Sequence, residues 1–191
     1  MKSIVFGGSG FLGSHVAEQL TKKGHEVTIF DIKKSPWLKE NQKMIVGDIL
    51  DWKVLDEALE DVDIVYNFAG AADVDSHPYD SIKNIEINAH ILNCLKDKNI
   101  QRYLFASTLY VFGNHGSFYR DSKVSCEMYI ESFHKKYNIP YTILRYGSLY
   151  GERTNMKDRI SIFVSFHSTS KSSLSGSSPM RPAISSASAP G

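Results

Sequence analysis

Tyr119 and Lys123 have the residue types and spacing for proton chemistry. Four residues apart, their side chains share one face of any helix that carries them. A free phenol, with a pKa of about 10, is a poor base at neutral pH. A neighbouring ammonium favours the phenolate and lowers that value. Upstream, Ser107 and Thr108 close the apolar run Phe105-Ala106. Either hydroxyl could hydrogen-bond a substrate hydroxyl while its proton leaves, with Thr108 the first choice. The alternatives are a tyrosine and a lysine on a solvated helix face, and a Ser or Thr that caps its own turn. Position has to decide between them.

A second group points to a phosphate ligand. Gly7, Gly10 and Gly13 punctuate the stretch Gly7-Gly8-Ser9-Gly10-Phe11-Leu12-Gly13, between the apolar run Ile4-Val5-Phe6 and a helix-like segment. Gly7 allows the tight turn, Gly10 lets a pyrophosphate approach the backbone, and Gly13 lets helix and strand pack closely. The helix amides then face the anion. Asp31 lies 18 residues beyond Gly13, at the end of the next apolar run. An acid there binds adenosine ribose hydroxyls and repels a 2′-phosphate, which favours NAD over NADP. Lys33 and Lys34 soften that preference. Asp48 and Ile49 would then lie at the adenine edge, unless Asp48 only caps the helix that follows.

These residues need a scaffold, and the patterning supplies one. Short apolar runs at 4–6, 26–31, 43–46, 63–67, 102–106 and 141–145 read as strands. Between them lie amphipathic stretches, among them 51–59, 79–98 and 122–137, that read as helices. This alternation predicts an α/β fold, a doubly wound parallel sheet of Rossmann type with helices on both faces.

Composition narrows the function. With 22 basic and 21 acidic residues the formal net charge is +1, so electrostatics offer no case for a nucleic-acid binder or a polybasic membrane binder. No apolar run approaches the roughly 20 residues of a membrane helix. The two cysteines, Cys94 and Cys126, lack metal-ligand spacing, no metal site is expected, and a reduced cytoplasmic setting is the default. Residues 1–163 form the expected dinucleotide-binding domain. Residues 164–191 are serine- and proline-rich without an acid, and read as a disordered tail.

Taken together, GGSGFLG, Asp31, GDI at 47–49, NFAG at 67–70, FASTLYVFG, YRDSK and LRYGSLYGER resemble the extended short-chain dehydrogenase/reductase superfamily, and within it the NAD-dependent nucleotide-sugar epimerase/dehydratase family. The resemblance implies Thr108, Tyr119 and Lys123 as catalytic residues and a nucleotide sugar as substrate. It implies a cofactor site of Gly7, Gly10, Phe11, Leu12, Gly13, Asp31, Ile32, Lys33, Asp48, Ile49, Phe68, Ala69, Gly70, Asn84, Ser107, Tyr119, Lys123 and Tyr146. Ile87 and Asn88 stand where the family usually has glycine and threonine. Leu109-Tyr110 replaces the Asp-Glu that dehydratases place after the catalytic hydroxyl, which favours a UDP-glucose 4-epimerase-like reaction over dehydration. Family members often dimerise through two long helices, here near 79–98 and 122–137. The family's C-terminal substrate domain has no counterpart motif after Arg153, so a shortened product is expected, arising either from a change of reading frame near residue 164 or as a natural short variant with a disordered tail. The competing readings are a dinucleotide-binding module without turnover, and a dehydratase or NADPH-dependent reductase of the same superfamily.

Overall fold

In a computed structural model the described residues are 1–71 and 77–154. They form six strands, β1 (Lys2–Phe6), β2 (Glu26–Asp31), β3 (Gln42–Val46), β4 (Ile64–Asn67), β5 (Arg102–Thr108) and β6 (Tyr141–Tyr146). The helices are α1 (Phe11–Lys22), α2 (Trp52–Ala58), α3 (Pro78–Leu95) and α4 (Ser117–Tyr137). A 3-10 turn covers Leu109–Phe112. The tail expected at 164–191 lies outside the described residues.

All strands run parallel, in the order β3-β2-β1-β4-β5-β6. The order reverses between β1 and β4, which leaves a crevice at their carboxyl ends. Alternation along β1 explains the layering. Ile4 and Phe6 enter a core with Leu55 of α2, Ile91, Leu92 and Leu95 of α3, and Cys126 and Ile130 of α4. Val5, between them, faces the other way and packs with Ala17 and Leu20 of α1 and with Val27 and Ile29 of β2. The sheet is therefore covered on both faces where β1 and β2 lie, while β6 is half-buried along its whole length.

Local chemistry sets the helix boundaries. Asp51 caps α2, its Oδ1 accepting from the amides of Lys53 at 3.1 Å and Val54 at 3.3 Å. Pro78 opens α3 with the preset backbone of a first-turn proline. Asn138 closes α4 in the left-handed conformation, two residues before Pro140. The start of α4 departs from expectation. It begins at Ser117 rather than near Ser122, because Gly116 takes a left-handed turn (φ 98°) and Arg120 Nε donates to the Gly113 carbonyl at 2.6 Å. Tyr119 consequently sits inside the first turn of the helix that carries Lys123.

Candidate active site

The glycine turn is built by close approach. A Cβ on Gly13 would lie 2.3 Å from the Gly7 carbonyl oxygen, and one on Gly7 would lie 2.7 Å from the Phe68 and Ala69 backbone. The turn after β1 and the turn after β4 thus touch, which brings Gly7, Gly10 and Gly13 beside Phe68, Ala69 and Gly70. At Gly10 a Cβ would meet only the Gly7 oxygen, at 3.3 Å. Gly10 caps α1 without a side-chain bond, so the first-turn amides of Phe11, Leu12 and Gly13 have no intrahelical acceptor.

Asp31 ends β2 beside this turn. Its carboxylate accepts from the Ser9 amide at 3.0 Å and the Lys33 amide at 3.2 Å, tying the turn to the β2 end. Ile32 is exposed next to it. Free helix-start amides, a backbone cradle without side chains and a carboxylate at the end of the second strand together fit a dinucleotide. Asp48 is exposed and accepts from the Leu50 amide at 2.9 Å, closing its own turn, while Asp51 is the cap of α2. Ile49 is buried in the main core. Asn84 is buried and grips the loop after β4: its Oδ1 accepts from the Ala71 amide at 2.8 Å and its Nδ2 donates to the Ala71 carbonyl at 3.1 Å. That grip sits against Gly70, where a Cβ would collide with Asn84 Oδ1 at 2.3 Å.

Two strands further along the sheet, about 10 Å at the usual strand spacing, lie the residues expected to carry proton chemistry. Thr108 is the last residue of β5 and pairs in register with Tyr146, the last of β6. The Thr108 hydroxyl accepts from the Tyr110 amide at 3.3 Å and lies near enough to the buried Tyr119 phenol to draw its proton affinity down. Lys123, one turn further along α4, is also buried; its Nζ donates to the Ala106 carbonyl at 2.9 Å and lies 5.8 Å from the centre of the Tyr119 ring. Thr108, Tyr119, Lys123 and Tyr146 therefore converge. Ser107 does not join them, because its hydroxyl donates to Glu127 Oε1 at 2.5 Å.

The electrostatics differ from those the residue pair suggests alone. Burial pushes the Tyr119 phenol up to about 12, against the pull of the nearby Thr108 hydroxyl. The same cause lowers Lys123 to about 8, with Cys126 and Glu127 opposing. Burial also raises Tyr146 to about 12. Desolvation leads both shifts because the phenol and the ammonium are both buried, the ammonium donating to the Ala106 carbonyl.

Glu127 and Arg145 were absent from the sequence reading. Arg145 forms a two-point ion pair with Glu127, Nε to Oε1 at 3.0 Å and Nη2 to Oε2 at 2.6 Å, while Glu127 also receives Ser107. The available signal was an acid one turn beyond Lys123 on the same helical stripe as Tyr119.

The sequence model of the NAD dependent epimerase/dehydratase family matches residues 3–174, running past residue 163. A Methanocaldococcus jannaschii protein provisionally named a UDP-glucose 4-epimerase is 32% identical over 187 residues, covering 84% of this chain and 61% of that protein. A Bacillus cytotoxicus UDP-N-acetyl-alpha-D-glucosaminuronate decarboxylase is 34% identical over 180 residues, covering 80% of this chain and 56% of its own length. Among solved structures, Thermotoga maritima UDP-glucose 4-epimerase with UDP-glucose superposes with a TM-score of 0.76 at 28% identity, covering 81% of this chain and 58% of that one. Bacillus cereus UDP-glucuronic acid 4-epimerase in complex with NAD gives a TM-score of 0.74 at 27% identity, covering 82% and 60%. The chain thus spans little more than half the length of these relatives. No helix among the described residues is long and apolar enough to cross a membrane.

Proposed function

Because the chain belongs to the NAD dependent epimerase/dehydratase family, we propose that it binds NAD and epimerises a nucleotide sugar, as a UDP-glucose 4-epimerase does. The observation that carries this reading is the convergence of Thr108, Tyr119 and Lys123 at the β5 end of the sheet that holds the glycine cradle. Gly7, Gly10, Gly13 and the first-turn amides of α1 hold the pyrophosphate, and Asp31 holds the adenosine ribose. When bound, NAD supplies a hydride acceptor whose positive nicotinamide also favours the phenolate. Tyr119 then takes the proton of a sugar hydroxyl that Thr108 orients. Lys123 keeps positive charge beside the phenol and lies within reach of a ribose hydroxyl. Leu109-Tyr110, in the 3-10 turn after Thr108, offers no acid for dehydration, which supports epimerisation.

The rest of the reading is a cytoplasmic protein with a 1–163 cofactor domain and a 164–191 tail, pairing into a homodimer through α3 and α4. Exposed Ile82 on α3 and exposed Met128 and Tyr129 on α4 support the pairing, and the two buried free thiols suit a reducing compartment. A second reading is dinucleotide binding without turnover, for which the glycine cradle and Asp31 alone suffice.

Calorimetric titration with NAD and NADP, followed by single-turnover reduction of bound NAD with UDP-sugars, separates these readings. Saturable NAD binding, weaker NADP binding and formation of reduced cofactor are expected. Binding without reduction would leave the second reading, and no NAD binding by a folded chain would sink both.

A further inference from the structure

The Glu127 carboxylate takes no part in cofactor binding or proton transfer as proposed above, yet it is the most heavily engaged charged group near the site. Its side chain is 11% exposed. It receives the Ser107 hydroxyl from β5 and the two-point guanidinium fork of Arg145 from β6. Ser107 and Arg145 are themselves in register, each immediately before a site residue, Thr108 and Tyr146. The Arg145 guanidinium also stacks on Phe112 at 4.8 Å, in the 3-10 turn that follows Thr108. A single carboxylate on α4 therefore joins both strand ends and, through Arg145, the turn between β5 and α4.

We propose that Glu127 is a positioning residue: its clamp on Ser107 and Arg145 seats α4 so that Tyr119 meets Thr108 and Lys123 reaches the Ala106 carbonyl. The physical ground is twofold. A buried carboxylate holds its place only through such partners, and losing one leaves the other charge uncompensated. Reacting groups also tolerate little displacement, since a shift of about 1 Å can cost on the order of 100-fold in rate. As a claim about catalysis this rests on the proposed function; as a claim about where α4 sits it does not.

The test reads the titration of Lys123 in the cofactor-free chain, by carbon NMR of labelled lysine, in wild type and Glu127→Gln. The groups facing this region are Tyr119, Cys126, Glu127 and Glu131 on α4, Tyr103 on β5, Tyr141, Arg145 and Tyr146 on β6, and Tyr110 in the turn. From α3 the neutral Asn84 and Asn88 reach it, bonded to Ser122 and to the Cys126 carbonyl. Glu127 raises Lys123, so simple removal of its charge would move the lysine to lower pH. Loss of the clamp does the opposite: water reaches the loosened ammonium, which then titrates higher, towards an ordinary lysine. The expected result is the upward movement, with kcat lower by about 10- to 100-fold and NAD affinity held within about threefold. A Lys123 titration that stays or moves lower overturns the proposal, as does an unchanged kcat in an active chain. If Glu127→Gln does not fold, Glu127→Asp keeps the charge, shortens the reach and carries the same expectations. If the wild-type chain shows no turnover, the proposed function fails while the lysine titration still decides the clamp.

Discussion

At the scale of single residues, the Tyr119–Lys123 pair is a case of burial against charge. Lys123 is buried and titrates at about 8 instead of 10.5, so the folded state binds its proton less tightly than the unfolded state does. Stability from this group is therefore complete above about 10.5 and is lost as pH falls through about 8. The full difference is on the order of 3 kcal/mol. Replacing Lys123 by Met removes that dependence, and the other titrating groups cancel in the comparison. Urea unfolding of wild type and Lys123→Met at several pH values between 7 and 10.5 should show wild type gaining on the variant as pH rises. A constant difference across that range would mean that the buried amine is not under this strain. The amine is kept despite the cost because the proposed reaction needs a cation beside Tyr119.

At the scale of elements, the β1 turn and the start of α1 separate binding from folding. Gly13 is packed on Gly7, and a Cβ there would stand 2.3 Å from the Gly7 oxygen. Gly10 has ordinary extended backbone (φ −77°) and only one contact, at 3.3 Å. Gly13→Ala should therefore destabilise the chain by about 1–3 kcal/mol and remove NAD binding. Gly10→Ala should cost roughly 1 kcal/mol, the penalty of an alanine in place of a glycine helix cap, with no backbone clash added. It should nevertheless weaken NAD at least about tenfold, because the methyl occupies the approach of the pyrophosphate. Thermal melts and calorimetry on both variants check this, and equal loss of stability in the two would contradict it.

At the scale of the whole molecule, the sheet is enclosed unevenly. The β1–β2 half is sealed between α1 and the α2–α3–α4 layer, whereas β6 is half-buried throughout. Ile82, Met128 and Tyr129 remain exposed on the outer helices. Covering apolar side chains of this size by self-association is favourable, on the order of 25 cal/mol per Å² of apolar surface. Sedimentation should give about twice the 21.5 kDa chain mass, and the double substitution Met128→Glu with Tyr129→Glu should return it to the monomer value. A wild-type chain that sediments as a monomer at all accessible concentrations would count against α3 and α4 as a pairing surface.

The sequence by itself determined what depends on local order. The period of the apolar residues set the strands and most helix bounds to within a few positions, the start of α4 excepted. The glycines at 7, 10 and 13 with Asp31 marked the turn that approaches a dinucleotide. The spacing of Tyr119 and Lys123 put them on one face because helical geometry fixes neighbours four apart. Only the tertiary structure showed the Ser107 hydroxyl engaged by Glu127, because that contact joins residues 20 apart in sequence. Only it placed Asn84 on the loop after β4 and Ile49 in the core. It also set the proton affinities. Desolvation is a property of everything packed around a group, so the rise of Tyr119 and the fall of Lys123 could not be read from their spacing.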